Sequence, residues 1–168
     1  LGLIMRFTNS AGGKEIIPLT YWREASGTLA WRWRGFPEPR PLYYPPGADR
    51  SLPKLIVEGE KCADAAMMLS DLYCPVSWTG GAKAVKKADW SGIAGEAVIW
   101  ADNDQPGLAA ALLIDDIVSP AASVRHVLTE QNEARAAGWD IADAVQDGLQ
   151  RDELLRMASD AMPLVKTA

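Results

Sequence analysis

Acidic side chains follow two of the most hydrophobic stretches of this sequence. Glu58 comes directly after residues 54–57, and Asp102 and Asp104 come directly after residues 97–101. Two carboxylates that stand two positions apart on an extended backbone project to the same side. Such a pair suits a hard divalent cation, because proteins bind Mg²⁺ through one or two carboxylates while water and phosphate oxygens complete its coordination. The pattern predicts a magnesium site formed by these three carboxylates if the two stretches are central strands of one sheet.

A simpler interpretation exists for the second group of acids. Asp and Asn favour turns and helix N-caps, because their side chains accept local backbone hydrogen bonds. Pro106 follows at a position that suits the first turn of a helix. Taken alone, Asp102-Asn103-Asp104 fits a cap as well as a metal ligand. The metal site is favoured because an acidic group ends two separate hydrophobic stretches, and a helix is expected to open after each of them.

The sequence around these acids alternates between strand and helix patterns. Strands are predicted at residues 54–58, 75–78, 97–101 and 123–128, and helices at 60–70, 82–88, 106–118 and 141–158. Strands that alternate with helices form βαβ units, and therefore a mostly parallel central sheet with helices on both faces. Functional groups of such sheets gather beyond the carboxyl ends of the strands. The predicted class is therefore α/β, with the acidic residues at one edge of the sheet.

Residues 1–50 have a different character from the rest of the chain. Residues 17–23 and 28–34 flank a Ser-Gly turn, which predicts a β-hairpin with one aromatic and one basic face. Residues 36–53 are rich in proline, which forbids a helix there and predicts an extended strap. We therefore expect a β-rich N-terminal segment with a Pro-rich strap at residues 1–50, and an α/β domain at residues 51–168.

The charge of the chain is unevenly distributed. The net charge is −5 over 168 residues, but residues 1–50 carry seven Lys or Arg against four Asp or Glu, and residues 51–168 carry ten against eighteen. A pI near 4.9 is atypical of a freestanding DNA-binding module of high affinity. An acidic chain still suits an enzyme that handles phosphates through metal ions, because its carboxylates recruit the cation that neutralises the polyanion.

Composition also limits the kind of protein. A single histidine and two cysteines, Cys62 and Cys74, outside any Cys-x-x-C pattern cannot supply the four ligands of a structural zinc site. The longest apolar stretch, residues 107–114, is far shorter than the roughly 20 residues of a membrane helix, and no secretory signal is visible. We expect a reducing, cytoplasmic location and no membrane contact. Because the chain begins at Leu1 rather than at Met, we expect it to be a piece of a longer protein.

A glycine pair and a group of lysines are further candidates for binding phosphate or nucleic acid. Gly80 and Gly81 follow the second predicted strand, so backbone amides there, with Lys83 as a counter-charge, could hold a phosphate. A glycine turn that only reverses the chain explains the pair equally well. Lys83, Lys86 and Lys87 are candidate contacts to a nucleic-acid backbone, although a solvated helix face is somewhat favoured.

The predicted hairpin carries Trp31 and Trp33 interleaved with Arg32 and Arg34. Aromatic stacking and guanidinium contacts on a hairpin suit single-stranded nucleic acid. They suit docking onto the α/β domain or onto a neighbouring domain as well, and docking is favoured. Arg32 and Arg34 are therefore secondary candidates for contacts to nucleic acid.

The motifs together resemble the Toprim domain, the metal-binding catalytic module of bacterial-type primases, type IA and type II topoisomerases, overcoming-lysogenization-defect nucleases and RecR-type repair proteins. Within that group the chain is similar to the Toprim-bearing region of phage and plasmid primase-helicase proteins, over roughly residues 40–148. The segments that carry the similarity are Pro41-Leu42-Tyr43, residues 55–66 (LIVEGEKCADAA), residues 79–82 (TGGA), Asp89-Trp90, residues 99–107 (IWADNDQPG) and residues 138–144 (GWDIADA).

The resemblance implies a Toprim-like fold and a set of roles for the acidic residues. The strand-end glutamate of the family acts as a general acid or base at the metal, which carries over to Glu58. The Asp-x-Asp pair of the family holds magnesium, which carries over to Asp102 and Asp104. A late aspartate often lies near the site, which makes Asp140 a candidate, although capping of the last helix is favoured for it. Asn103 stands where primases commonly have glycine.

The function implied by the resemblance is Mg²⁺-dependent nucleotidyl transfer, with Mn²⁺ as a substitute, by a phage- or plasmid-type DNA primase in DNA replication. Its partners would be a single-stranded DNA template, nucleoside triphosphates and a helicase or ATPase domain in another part of the parent protein. Two alternatives stay open: a Toprim nuclease that hydrolyses phosphodiesters, and a non-catalytic module that binds nucleic acid or partner domains. A topoisomerase is disfavoured, because nothing marks any of the four tyrosines as a nucleophile near the acids.

Overall fold

The computed structural model describes residues 1–10, 12–127 and 135–163. It divides into two compact units, Leu1–Arg40 and the chain from Pro41 onward. The domain boundary expected between residues 50 and 51 stays a prediction, and Leu128, the last residue of the fourth predicted strand, lies outside the described residues. Within the described ranges, no helix has both the length and the apolar character that crossing a bilayer requires.

The first unit contains three strands, β1 (Gly2–Thr8), β2 (Lys14–Arg23) and β3 (Leu29–Arg32). They form an antiparallel sheet in the order β1-β2-β3. β2 and β3 make the predicted hairpin, and Gly27 takes a positive φ of 86° in the turn between them, a conformation that glycine adopts without steric cost. The sequence pattern does not predict the strand at residues 2–8, because this short run acquires its hydrogen bonds only by pairing with β2.

The second unit contains four strands, β4 (Lys54–Glu58), β5 (Cys74–Trp78), β6 (Gly95–Trp100) and β7 (Ala122–Val127). They form a parallel sheet in the order β5-β4-β6-β7. Strands of a parallel sheet are covered on both faces, so β4 and β5 are hydrophobic and buried along nearly their whole length. The predicted α/β class with a mostly parallel central sheet is confirmed.

Helices pack around the parallel sheet. They are α1 (Glu60–Ala65), α2 (Gln105–Val118), α3 (Ile141–Gln146) and α4 (Arg151–Ser159), with 3₁₀ turns at Ala66–Leu69, Ala82–Lys87 and Trp90–Gly92. The helix predicted at 60–70 therefore changes to a 3₁₀ turn after Ala65, and the helix predicted at 141–158 is two helices. Gly148, with a φ of 92°, ends α3: its N–H donates to Val145 O, and the chain turns there before α4 begins.

The two faces of the parallel sheet carry separate hydrophobic cores. Along β4, Leu55 and Val57 face one side, where they pack with residues of α1, α3 and α4. Ile56 faces the other side, where it packs with residues of α2. Because alternate residues of a strand point to opposite faces, this arrangement confirms helices on both faces. Four tryptophans are buried in these cores: Trp78, Trp90, Trp100 and Trp139.

Candidate active site

The adjacency of β4 and β6 brings the predicted acidic residues together. The two strands are the central pair of the sheet and run parallel, with Val57 opposite Trp100. Glu58 and Asp102 therefore leave the sheet side by side, at the edge formed by the carboxyl ends of the strands. The turn after β6 is tight, because a Cβ on Gly107 would lie only 2.5 Å from the carbonyl oxygen of Asp102. Only glycine permits this close approach.

Asp102 lies in an environment that opposes its negative charge. Partial burial and four neighbouring carboxylates, those of Glu58, Asp140, Asp104 and Asp143, raise the pKa of Asp102 to about 7. Within the described part of the chain, no hydrogen bond or ion pair reaches its side chain. Within the described residues, the negative charge of Asp102 therefore has no compensating partner, and a cation beside this carboxylate would be stabilised.

Asp104 is the N-cap of α2, as the simpler interpretation predicts. Its Oδ1 accepts a hydrogen bond from the backbone N–H of Gly107 at 2.7 Å. Its Oδ2 is on the side of Gly138, where an added Cβ would lie 3.6 Å from it. Capping uses one of the two carboxylate oxygens, so the other can still serve as a metal ligand.

A glycine loop holds Glu58 in place. Glu58 Oε1 accepts a hydrogen bond from the backbone N–H of Ala82 at 3.0 Å. The peptide that makes this bond is itself fixed, because Trp78 Nε1 donates to Gly81 O at 2.8 Å and Gly81 has a φ of 72°. Burial raises the pKa of Glu58, the Ala82 N–H opposes this shift, and two neighbouring aspartates add to it. The hydrogen bond therefore fixes the orientation of the Glu58 carboxyl group, and burial raises its pKa above the ordinary value of 4.5.

The same loop is the predicted phosphate site. One of its amides, that of Ala82, donates to Glu58 instead. The three lysines of the 3₁₀ turn that follows are exposed: Lys83, Lys86 and Lys87. Binding of phosphate at Gly80, Gly81 and Lys83, and of nucleic acid by the three lysines, stays a prediction.

Asp140 approaches the cluster from the N-terminus of α3. Its Oδ1 caps that helix by accepting a hydrogen bond from the backbone N–H of Asp143 at 2.7 Å. Its Oδ2 lies 3.4 Å from Lys61 Nζ, which also donates to Asp143 Oδ1 at 3.2 Å. Asp140 is therefore both a helix cap and a neighbour of the acidic site, since its charge raises the pKa of Asp102. The role of Lys61 is not predicted by the sequence, in which its one signal is its place directly after the Glu-Gly-Glu motif.

Asn103 connects the acidic turn to the segment that carries Asp140. Its Nδ2 donates to the carbonyl oxygens of Arg135 at 3.2 Å and Ala136 at 3.1 Å. Its backbone N–H donates to Trp139 O at 2.9 Å. A glycine at this position would keep only the backbone bonds, to Trp139 O and from the Gly138 N–H. Asn103 departs from the primase pattern, and this role is not predictable from the sequence, because Arg135 is 32 positions away in the chain.

The two arginines considered for nucleic-acid contacts lie in the first unit. Arg32 forms an ion pair with Glu24. The guanidinium of Arg34 lies 3.8 Å from the centre of the Trp22 ring. Each arginine thus has a partner within its own unit, and a role in binding nucleic acid stays a prediction for both.

The donor chemistry of the acidic cluster fits a hard cation, although its side chains do not stand in ligand positions. Among the described residues, no group of three His, Cys, Asp or Glu side chains is placed to hold a metal ion. Two of the predicted ligands are turned to backbone amides, Asp104 to Gly107 and Glu58 to Ala82. Carboxylate oxygens are nevertheless the ligands that Mg²⁺ prefers. A cation would also relieve the repulsion that raises the pKa of Asp102.

Solved structures of similar architecture identify the fold. A DNA primase domain from Pseudomonas aeruginosa matches with a TM-score of 0.51 and 18% sequence identity, over 94% of this chain and 57% of that one. The DnaG primase catalytic domain bound to single-stranded DNA matches with a TM-score of 0.55 and 17% identity, over 96% of this chain and 52% of that one. This chain has the Toprim-like fold of primase catalytic domains.

The Toprim-like fold explains why the acidic residues meet, but it leaves the chemistry to the site itself. The chain spans 57% and 52% of the lengths of the two primase domains, at 18% and 17% identity. No family model matches the chain, and the comparison with curated proteins found no match. The function therefore has to be argued from the residues at the edge of the sheet.

Proposed function

We propose that this chain is the Mg²⁺-dependent nucleotidyl-transfer domain of a DNA primase of the phage or plasmid type, acting in DNA replication. The observation that carries the proposal is the convergence of Glu58, Asp102, Asp104 and Asp140 at the carboxyl edge of β4 and β6. It is supported by the fold, which primase catalytic domains share. Mn²⁺ is expected to substitute for Mg²⁺.

The acidic residues have distinct roles in this proposal. Asp102 and Asp104 hold the magnesium ion, and Glu58 lies beside it. When bound, the ion supplies the positive charge that stabilises a transferring phosphoryl group. Glu58 takes up the proton of the attacking hydroxyl group, which its raised pKa and its fixed position favour. Lys61 pairs with Asp140 and so limits the negative charge that the cation has to balance.

The proposal includes the partners that this reaction needs. They are a single-stranded DNA template, nucleoside triphosphates, and a helicase or ATPase domain in another part of the parent protein, in the cytoplasm. One of the similar primase domains was solved with single-stranded DNA bound, which supports the template.

Primer synthesis by the chain tests the proposal directly. The assay combines the protein with single-stranded DNA, nucleoside triphosphates and Mg²⁺. The double variant Asp102→Ala, Asp104→Ala is expected to lose at least about a thousandfold in rate, because charge stabilisation by a bound metal contributes several kcal/mol. Asp71→Asn is the matched control, since Asp71 is an exposed carboxylate that pairs with Arg151 outside the cluster. Unchanged synthesis by the double variant would contradict the proposal.

The same assay separates the two alternative functions, because the carboxylates also suit attack by water on a phosphodiester. Metal-dependent cleavage of single-stranded DNA without any synthesis would replace the primase proposal with a nuclease. Binding of nucleic acid that survives chelation of the metal, with neither reaction, would indicate a non-catalytic module.

A further inference from the structure

The sheet of the first unit has two unlike faces, and the chain itself covers part of one of them, around Gly2, Thr20 and Trp22. Directly opposed residues of adjacent strands share a face, so Gly2, Thr20 and Trp22 lie on what we call the covered face. Thr20 Oγ1 donates to Arg34 O at 2.7 Å, and the Arg34 guanidinium lies 3.8 Å from the centre of the Trp22 ring. Phe36 packs so closely against Gly2 that a Cβ there would clash with its ring. Thr20 is almost fully buried as a result.

The opposite face presents aromatic rings to solvent. We call it the aromatic face, and it carries Phe7, Tyr21, Trp31 and Trp33. The rings form two pairs: the centres of Tyr21 and Trp31 are 5.3 Å apart, and those of Phe7 and Trp33 are 6.1 Å apart. The exposed fractions of the four residues are 40%, 41%, 40% and 59% in chain order. The rings therefore support one another while a large part of each stays in contact with water.

The extent of the aromatic face marks it as a binding surface. Leu3 and Leu29 lie on the same face and are also exposed, so the apolar area crosses all three strands. Large apolar side chains that are exposed together on one face usually meet a ligand or a partner.

The charge of the unit shows which kind of partner the aromatic face fits. Residues 1–40 contain six Lys or Arg and three Glu, whereas the rest of the chain contains eleven Lys or Arg and nineteen Asp or Glu. Arg23 lies on the aromatic face two positions from Tyr21, and within the described ranges no ion pair to it is present. A partner that contacts both the exposed rings and the positive charge has flat apolar groups and negative charge. A single-stranded nucleic acid has flat bases and charged phosphates, whereas an apolar protein surface would contact only the rings.

We propose that the aromatic face binds single-stranded nucleic acid by stacking bases on Tyr21, Trp31 and Trp33, with Arg23 near the phosphates. The inference deepens the proposed function, on which it rests for the identity of the strand as a DNA template. Stacking tolerates any sequence because every base has a flat face. This tolerance suits a surface that holds a template whose bases are read elsewhere. Exposed rings on antiparallel sheets hold single strands in this manner in other folds.

Binding of a fluorescein-labelled oligothymidylate to the full 168-residue chain tests the inference, measured by fluorescence anisotropy in EDTA. The double variant Trp31→Ala, Trp33→Ala is expected to bind about 30-fold more weakly, from the usual loss for two stacked bases. Trp33→Leu keeps apolar area but removes a ring, and it is expected to bind about fivefold more weakly. Ile16→Ala is the matched control, because Ile16 is exposed on the opposite side of the same sheet. Circular dichroism verifies that each variant is folded.

Four results would overturn the inference. The first is absence of binding by the wild-type chain, and the second is unchanged binding by the double variant. The third is wild-type binding by Trp33→Leu, which would show that apolar area suffices. The fourth is self-association of the chain that the double variant abolishes without weakening oligothymidylate binding, which would assign the face to a second copy. Because the assay excludes metal and measures binding alone, failure of primer synthesis leaves this test intact.

Discussion

The acidic edge of the parallel sheet keeps its side chains partly buried, whereas the aromatic face of the N-terminal sheet leaves its rings exposed to water. At the acidic edge, backbone amides hold Glu58 and Asp104, and partial burial raises the pKa of Asp102 to about 7. On the aromatic face, each ring keeps 40% or more of its residue exposed. Chemistry that depends on charge needs partial burial, because desolvation strengthens electrostatic interactions. Stacking needs exposed rings, because a base has to reach the flat side of a ring.

The type of sheet accounts for this difference. A parallel sheet is covered on both faces, so it offers ligands only its edge, where the loops that follow the strands meet. An antiparallel sheet can leave one face open to water. The comparison predicts that changes at the acidic edge alter metal-dependent chemistry and pH dependence, and that changes at the aromatic face alter the affinity for single strands.

Among single substitutions, the largest effect is expected from Trp78→Phe, which keeps a ring beside Trp90 but removes the Nε1 donor to Gly81 O. Gly81 O then keeps only the hydrogen bond from the Ala84 N–H, so the free energy of unfolding is expected to fall by about 1 kcal/mol. The rate of primer synthesis is expected to fall about tenfold, because Gly81 O, in the peptide that orients Glu58, then accepts one hydrogen bond instead of two. Denaturant unfolding and steady-state kinetics measure the two effects, and oligothymidylate binding is expected to be unchanged.

Trp90→Phe is the matched control for this prediction. Trp90 Nε1 donates to Val85 O at 2.8 Å, so the variant loses a comparable bond in the same region without affecting the peptide that holds Glu58. It is expected to lose similar stability and to retain its activity. Equal losses of activity in the two variants would show that Trp78 acts through stability alone.

A smaller effect is expected on the pH dependence of stability in the metal-free protein. The pKa of Asp102, about 7, lies above its ordinary value of 3.8, so the folded state binds a proton more readily than the unfolded chain between these values. Stability is therefore expected to fall as the pH rises from about 4 to about 7, and the loss is complete above that. The free energy of unfolding is expected to fall by about 1 kcal/mol after allowance for solvent screening, and Asp102→Asn is expected to remove this loss. At pH values above about 7, this corresponds to a Tm higher by roughly 2–4 °C.

Thermal denaturation in EDTA across this pH range checks the prediction. The difference in Tm between Asp102→Asn and the wild type is expected to shrink as the pH falls toward 4, and parallel curves would contradict it. Trp31→Ala, Trp33→Ala serves as the control from the other region, since it leaves the acidic cluster intact and is expected to keep the wild-type pH dependence.

The smallest effect is expected from Arg23→Ala on the aromatic face. If Arg23 contacts one phosphate, its removal lowers the slope of log affinity against log salt concentration by about 0.7, the usual value for one contact to a single strand. Anisotropy titrations of oligothymidylate at several salt concentrations measure the slope. An unchanged slope would show that the rings act without this arginine.

The sequence by itself determined the parallel sheet and its acidic edge. Every strand of that sheet lies within about two residues of its predicted position, because hydrophobic runs bounded by turn residues are a local signal. Glu58, Asp102 and Asp104 could be named as neighbours because each directly follows such a run, and parallel strands end at the same edge of a sheet. Their roles at a metal stay a prediction.

Only the tertiary structure decided how the acidic edge is held together and which face of the N-terminal sheet is open. Lys61 meets Asp143 across 82 positions of the chain, and no local pattern encodes a contact at that distance. The sequence pattern predicts one aromatic and one basic face, but Trp22 places an aromatic ring on the basic face as well. Arg34 and Phe36 pack onto that face around Thr20 and Gly2 and leave the aromatic face exposed. The alternating pattern could not decide this, because it does not encode contacts between separate segments of the chain.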